Sequence, residues 1–125
     1  DRLGLSHRVQ FLGYRKDVPQ LYAAADAFLF VSFREGLSLS LMEAMSSRLP
    51  SIVTPIRGNT DLIENGKEGL YADLTPASIA AAIRTLREDP TLRRKLGRAA
   101  GEKIQSFGLP QVLEEMKQIY QSLTP

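Results

Sequence analysis

The chain has 125 residues, the length of one ordinary domain, with 43% hydrophobic and 24% charged residues, so it can bury a core without cross-links. It has no cysteine, which excludes a disulfide framework, a thiolate nucleophile and a cysteine-ligated metal, and fits a reducing compartment. A net charge of +2 is too small to argue for a nucleic-acid partner, and no apolar run approaches the ~18 residues of a membrane span.

The first residues, Asp1 to Gly4, carry neither an initiating Met nor a signal-peptide pattern. The chain is therefore expected to be a piece of a longer one or a processed product. His7, the single histidine, precedes the first element and is read as a surface residue. Val9-Gln10-Phe11-Leu12 reads as a short strand ended by Gly13. Asp17 is a candidate N-cap for a helix with Pro19 in its first turn and Leu21, Tyr22, Ala24 and Ala25 as apolar content. Ala27 to Val31 is a continuous apolar run of strand length, the kind buried on both faces of a parallel sheet.

After a polar loop, Ser32 to Gly36, the spacing predicts a helix over Ser38 to Ser47. Leu37, Leu41, Ala44 and Met45 share one face, and Ser40, Glu43 and Ser47 another. Ser51 to Thr54 is the next strand, Pro55 to Asn59 a loop, Thr60 to Glu64 a helical turn, Asn65-Gly66 a tight turn and Gly69 to Tyr71 a last strand. The remainder is helical. Stripes of Ile79, Ala82, Ile83 and Leu86, of Leu92, Leu96 and Ala99, and of Val112, Met116 and Ile119 follow Pro76, Pro90 and Pro110. Arg93, Arg94, Lys95, Arg98 and Lys103 cluster on the second of these helices, either as a solvated face or as a surface for anionic lipid headgroups or a partner domain.

Strands alternating with helices imply an α/β domain, a Rossmann-like parallel sheet of about four strands with flanking helices. Ligands of such sheets bind beyond the carboxyl ends of the strands, where the loops Ser32 to Gly36 and Pro55 to Asn59 lie. Gly36 allows close backbone approach, and Leu37 and Ser38 stand where a helix start offers free N–H groups to phosphate oxygens. Glu43, a little over one turn in, can accept two hydroxyl hydrogen bonds, as a ribose diol requires, and Glu35 can face a sugar attached to the phosphate. Spacing alone leaves a second reading open, with Glu35-Gly36 a surface turn and Glu43 a solvated helix glutamate.

The pattern Ser32-x-x-Glu35-Gly36, with Glu43-Ala44-Met45 seven residues on, resembles the paired-glutamate hallmark of the retaining group 1 (family 4) glycosyltransferases of GT-B fold. Val9 to Gly13, Tyr22 with Ala25 and Asp26, Leu49-Pro50-Ser51-Ile52-Val53, and Asn65-Gly66 with Gly69-Leu70 are similar to further segments of that family, in the same order. The resemblance departs at Arg48, where glycine is usual, and at Arg57-Gly58-Asn59, where Gly-Gly is common.

The resemblance implies that residues 1–125 are a partial C-terminal, nucleotide-sugar-binding domain. It assigns catalysis to Glu35, through electrostatics and positioning. Substrate binding falls to Gly36, Leu37, Ser38, Glu43, Arg57 and Gly58, with Arg57 open to either a phosphate or acceptor contact or a plain surface role. The co-substrate would be a nucleotide-diphosphate sugar with no resident metal. The longer enzyme would transfer the sugar, with retention, to a polysaccharide or lipid-linked acceptor in the cytoplasm or at the inner membrane face. An acceptor domain, two strands and a basic pair would lie upstream, and the isolated chain would be inactive. Removing two strands would leave apolar edges, so the strand at Val9 would pair with that at Ala27, or copies would associate. The alternative is a non-catalytic nucleotide-sugar-binding or assembly module of the same ancestry. An unrelated dinucleotide-binding domain is disfavoured, because no Gly-x-Gly-x-x-Gly follows a strand.

Overall fold

The structure, a computed structural model, describes residues 3–123. Three short parallel strands form the sheet in the order β1 (Phe28–Phe30), β2 (Ser51–Val53), β3 (Gly69–Tyr71), with Leu29 level with Ile52 and Ile52 level with Leu70. Around them run α1 (Val18–Ala24), α2 (Leu39–Ser46), α3 (Asn59–Leu62), α4 (Pro76–Glu88), α5 (Pro90–Lys103), a 3₁₀ turn (Ile104–Phe107) and α6 (Leu109–Leu123).

Alternation along β2 makes two cores. Val53 joins Leu41, Met45, Leu62, Ile63, Ala100 and Ile104 on one face of the sheet. Ile52 joins Ala72, Ala82, Leu86 and Leu96 on the other. Because α5 supplies Leu96 to one cluster and Ala100 to the other, it borders both. The helix starts follow local chemistry. Thr75 caps α4 by accepting from the Ser78 N–H, Asp89 caps α5 by accepting from the Leu92 N–H, and Pro76 and Pro90 each follow at the first helical position. Asp17 precedes α1 without capping it, because its carboxylate is engaged by the Arg15 guanidinium at 2.7 Å. That ion pair holds the Asp17 carboxyl below its ordinary range.

Two glycines on α5 admit Arg48 of the α2–β2 connection, Gly97 its backbone and Gly101 its side chain. A Cβ on Gly97 would lie 2.1 Å from the Arg48 carbonyl oxygen, and one on Gly101 would lie 2.7 Å from the Arg48 Cγ. Arg48 itself has a φ of 58°. This left-handed conformation costs a side-chain-bearing residue about 1–2 kcal/mol, which explains why glycine suits the position.

The strand expected at Val9–Leu12 is not formed, so the sheet has three strands rather than four. Phe11 is 97% exposed, and Val9 and Leu12 are also exposed, so no apolar face is buried to offset ordering the segment. Pairing of Val9 with the Ala27 strand is absent for the same reason. β1 is consequently an edge, and Leu29 is 45% exposed instead of buried. Leu37, placed by spacing on the buried face of α2, lies one residue outside the helix N-cap and is exposed. The stripe on α6 faces outward, and α6 buries none of its residues.

Candidate functional site

The carboxyl ends of β1 and β2 are buttoned together by one hydroxyl. Thr54 Oγ1 donates to the Ser32 carbonyl at 2.7 Å and accepts from the Ser32 N–H at 3.1 Å. The two loops that follow meet through bare backbone. Gly58, at a φ of 91°, stands against Gly36, and a Cβ on Gly58 would lie 2.1 Å from the Gly36 oxygen and 3.1 Å from that of Glu35. Behind Gly58, the fully buried Asn59 donates from Nδ2 to the Thr54 carbonyl at 3.0 Å. Its Oδ1 meets no protein donor among the described residues.

The first loop runs into the start of α2. Ser38 is the N-cap, buried, and its hydroxyl accepts from the Leu41 N–H at 3.3 Å while lying 3.1 Å from the Ser40 hydroxyl. The N–H groups of Leu39 and Ser40, ahead of that bond, have no intrahelical acceptor, and the positive end of the helix adds to them. Glu35 is half-buried, and Gly36, Leu37 and Arg57 are exposed. Arg57 forms no ion pair among the described residues.

Glu43 lies one turn into α2 on its exposed side. The Tyr22 hydroxyl, from α1, bridges the Glu43 Oε2 at 3.3 Å and the Ser40 carbonyl at 3.2 Å. Burial, and then the negative charge of Glu43, push the Tyr22 phenol above its ordinary 10. It therefore stays a donor at neutral pH and restricts the carboxylate. Glu43 Oε1 has no partner among the described residues. The carboxylate borders an open hollow of about 480 Å³ between α1, α2 and the 3₁₀ turn, with Tyr22, Leu39, Met42 and Phe107 on its walls.

The structure thus joins Gly36 to Gly58, sets Leu37 and Ser38 at the helix start beside that contact, and carries Glu43 on the same helix. It does not bring Glu35 and Glu43 into mutual contact. Among the described residues no three His, Cys, Asp or Glu side chains gather into a metal-binding group. Three residues that hold this arrangement were not among the site residues the sequence singled out: Tyr22, Thr54 and Asn59. A hydroxyl residue closing a buried strand is a signal that would have drawn attention to Thr54. The reach of Tyr22, 21 positions back in sequence, has no local signal.

The profile of the family "Glycosyl transferases group 1" matches residues 1–103. EpsD of Bacillus subtilis (strain 168), named as a glycosyltransferase, is 34% identical over 121 residues, which cover 96% of this chain and 32% of that protein. An Escherichia coli UDP-Gal:alpha-D-GlcNAc-diphosphoundecaprenol alpha-1,3-galactosyltransferase is 29% identical over 119 residues, 94% of this chain and 31% of that one. Anabaena HepE, crystallised in complex with UDP, superposes with a TM-score of 0.88 at 30% identity, covering 98% of this chain and 34% of HepE. The chain therefore spans about a third of the length of the curated relatives it matches. Family profile, relatives and fold coincide on one conclusion: this chain belongs to the group 1 glycosyltransferases and forms a glycosyltransferase domain of the GT-B type.

Proposed function

We propose that the chain binds the activated donor of a sugar transfer, a nucleoside-diphosphate sugar, across the carboxyl ends of β1 and β2. The observation that carries this reading is the convergence on one helix start: the Gly36–Gly58 backbone contact, the Ser38 cap and, one turn on, the Glu43 carboxylate restrained by Tyr22. The N–H groups at Leu37 and Ser38 and the helix end take the diphosphate. Glu43, with Oε1 open, accepts the two ribose hydroxyls. Glu35, on the loop before, faces the sugar and stabilises the positive charge that develops at its reactive carbon as the bond to phosphate breaks. Arg57 and Gly58 form the opposite lip, with the guanidinium available to a phosphate oxygen. HepE, a close structural neighbour, was crystallised with UDP and with UDP-glucose, which supports a uridine nucleotide as the first donor to try.

In the same reading the complete enzyme transfers a hexose with retention of configuration. It needs no resident metal, because Arg57 and the helix end supply the countercharge. Its acceptor is a polysaccharide or lipid-linked sugar met at the cytoplasmic face of the membrane, a reading supported by the diphosphoundecaprenol acceptor in the name of the Escherichia coli relative. The acceptor comes from a partner domain outside these residues, so the 125-residue chain binds donor without turning it over.

Calorimetric titration of the chain with UDP and UDP-glucose tests this reading. Binding is expected, and Glu43→Ala should weaken it by about 1–3 kcal/mol, the cost of leaving two hydroxyls without their acceptor. Undiminished binding by that variant would return Glu43 to a solvated helix residue.

A further inference from the structure

We infer that the face of α5 carrying Arg94, Lys95 and Arg98, together with Arg48, is a docking surface for a membrane bearing anionic lipid. These four residues and Thr91 line an open hollow of about 640 Å³. Among the described residues none of the four cations forms a salt bridge. The Arg94 guanidinium reaches only the Thr91 hydroxyl, at 3.4 Å. Nearby charges of opposite sign are otherwise occupied or peripheral. Glu88 pairs with Arg87 at 3.5 Å, the Asp89 carboxylate caps α5, Glu102 is exposed one turn beyond Arg98, and Asp26 borders an adjoining hollow. Arg93, the remaining basic residue of this stretch, is a structural tie whose guanidinium donates to the Leu86 and Arg87 carbonyls at 2.8 and 3.0 Å.

Arg48 makes the cluster more than a run of helix charges. It holds a φ of 58°, a conformation that penalises any residue with a side chain and spares glycine. Its stem lies along Gly101, which has no side chain to displace it. A strained backbone retained around an unpaired cation, brought from another element into the same hollow, points to use of that charge. The hollow opens by the amino end of β2, where Arg48 precedes Pro50 and Ser51, whereas the donor site lies at the carboxyl end. It is therefore a second, separate anion-attracting surface. It has no aromatic lining to stack bases, which favours headgroup phosphates over single-stranded nucleic acid.

The test is co-sedimentation of the 125-residue chain with vesicles of phosphatidylcholine alone and of phosphatidylcholine with phosphatidylglycerol. Binding is expected to the second kind only, and to fade as salt rises. At about 1 kcal/mol per basic residue, or roughly five-fold, Arg94→Gln with Arg98→Gln should lower partition about 25-fold. Arg84→Gln with Arg87→Gln removes the same charge from α4 and should change it little. Arg48→Gly keeps the fold, relieves its strain, and should lower partition about five-fold. Equal binding to both vesicle types, equal losses in the α4 and α5 variants, or tighter binding to an oligothymidylate than to the anionic vesicles would overturn the inference. Failure here leaves UDP binding at the other end of the sheet untouched, so the two readings are separable.

Discussion

The backbone of Gly58 lies so close to that of Gly36 that a Cβ on the former would come within 2.1 Å of the carbonyl oxygen of the latter. No flexible side chain can yield here, because the obstructing atoms are main chain. Gly58→Ala should therefore part the two loops at the carboxyl ends of β1 and β2. Overpacking and a φ of 91° together should cost about 2–4 kcal/mol of stability, and UDP binding should be lost at temperatures where the variant remains folded. Urea denaturation and calorimetry on the same preparation check both parts. An alanine variant of wild-type stability would show that the loops are not in contact.

The Tyr22–Glu43 hydrogen bond predicts a late-titrating phenol. Desolvation comes first among the causes and the charge of Glu43 second, and both raise the Tyr22 pKa above 10. For an acid whose folded pKa is raised, the stabilisation is fully present below the unfolded value. It is lost as pH climbs from about 10 through the raised one. The difference in alkaline absorbance titration between the parent chain and Tyr22→Phe should isolate a tyrosine that ionises above 10. Glu43→Gln should bring it part of the way back, leaving the effect of burial. A difference curve centred at 10 would remove Tyr22 as the restraint on Glu43.

Away from the site, Gly97 repeats the argument made for Gly58 with a different consequence. Its Cβ would meet the Arg48 carbonyl oxygen at 2.1 Å, again backbone, so Gly97→Ala should push α5 off the α2–β2 connection. A loss of about 1–3 kcal/mol is expected. Because the contact lies by the amino end of β2, UDP affinity measured well below the melting temperature should stay near the parent value. A parallel loss of affinity would mean that the two ends of the sheet are coupled.

Glu68 is a buried acid with two partners. It accepts from the Glu64 N–H at 2.8 Å and faces the Lys103 ammonium at 3.6 Å. Glu68→Ala strands a buried N–H and removes the countercharge of a half-buried lysine, for an expected cost of about 1–3 kcal/mol. Glu68→Gln keeps an oxygen acceptor and should lose clearly less. Equal losses in denaturant melts would assign the effect to packing rather than to these contacts.

Much of this was legible from local chemistry. Pro76 and Pro90 open helices at those residues, the Ser51 strand is buried throughout, and the stretch Ser32 to Met45 folds as a loop running into a capped helix. What misled was tertiary context. Val9 to Leu12 has a strand's composition, but a strand needs a neighbour to bond with, and none is beside it. Leu29 sits in an apolar run that reads as buried on both faces, yet on this edge strand it is 45% exposed. At the site, spacing located Gly36, Ser38 and Glu43. It could not show that Gly58 touches Gly36 or that Tyr22 holds Glu43, because both contacts join residues more than 20 positions apart.

That open edge supports the final prediction, that the 125-residue chain self-associates. β1 offers unpaired backbone groups beside the exposed Leu29, and a hollow of about 310 Å³ bordered by Phe28, Leu29, Ile52 and Ile83, and also by Asp26, Arg87 and Arg93, runs along it. Val9 and Phe11 add exposed apolar surface in a segment with strand-forming composition. An exposed apolar strand edge is a template for pairing with another strand. Light scattering should give a mass above that of the 13.9 kDa monomer, rising with concentration. Leu29→Lys, which places a charge on the edge without touching the cores around Ile52 and Val53, should return the chain to the monomer mass. A parent chain that scatters as a monomer at all concentrations would show instead that the edge is protected by its own twist and brevity, since three residues offer a partner few bonds.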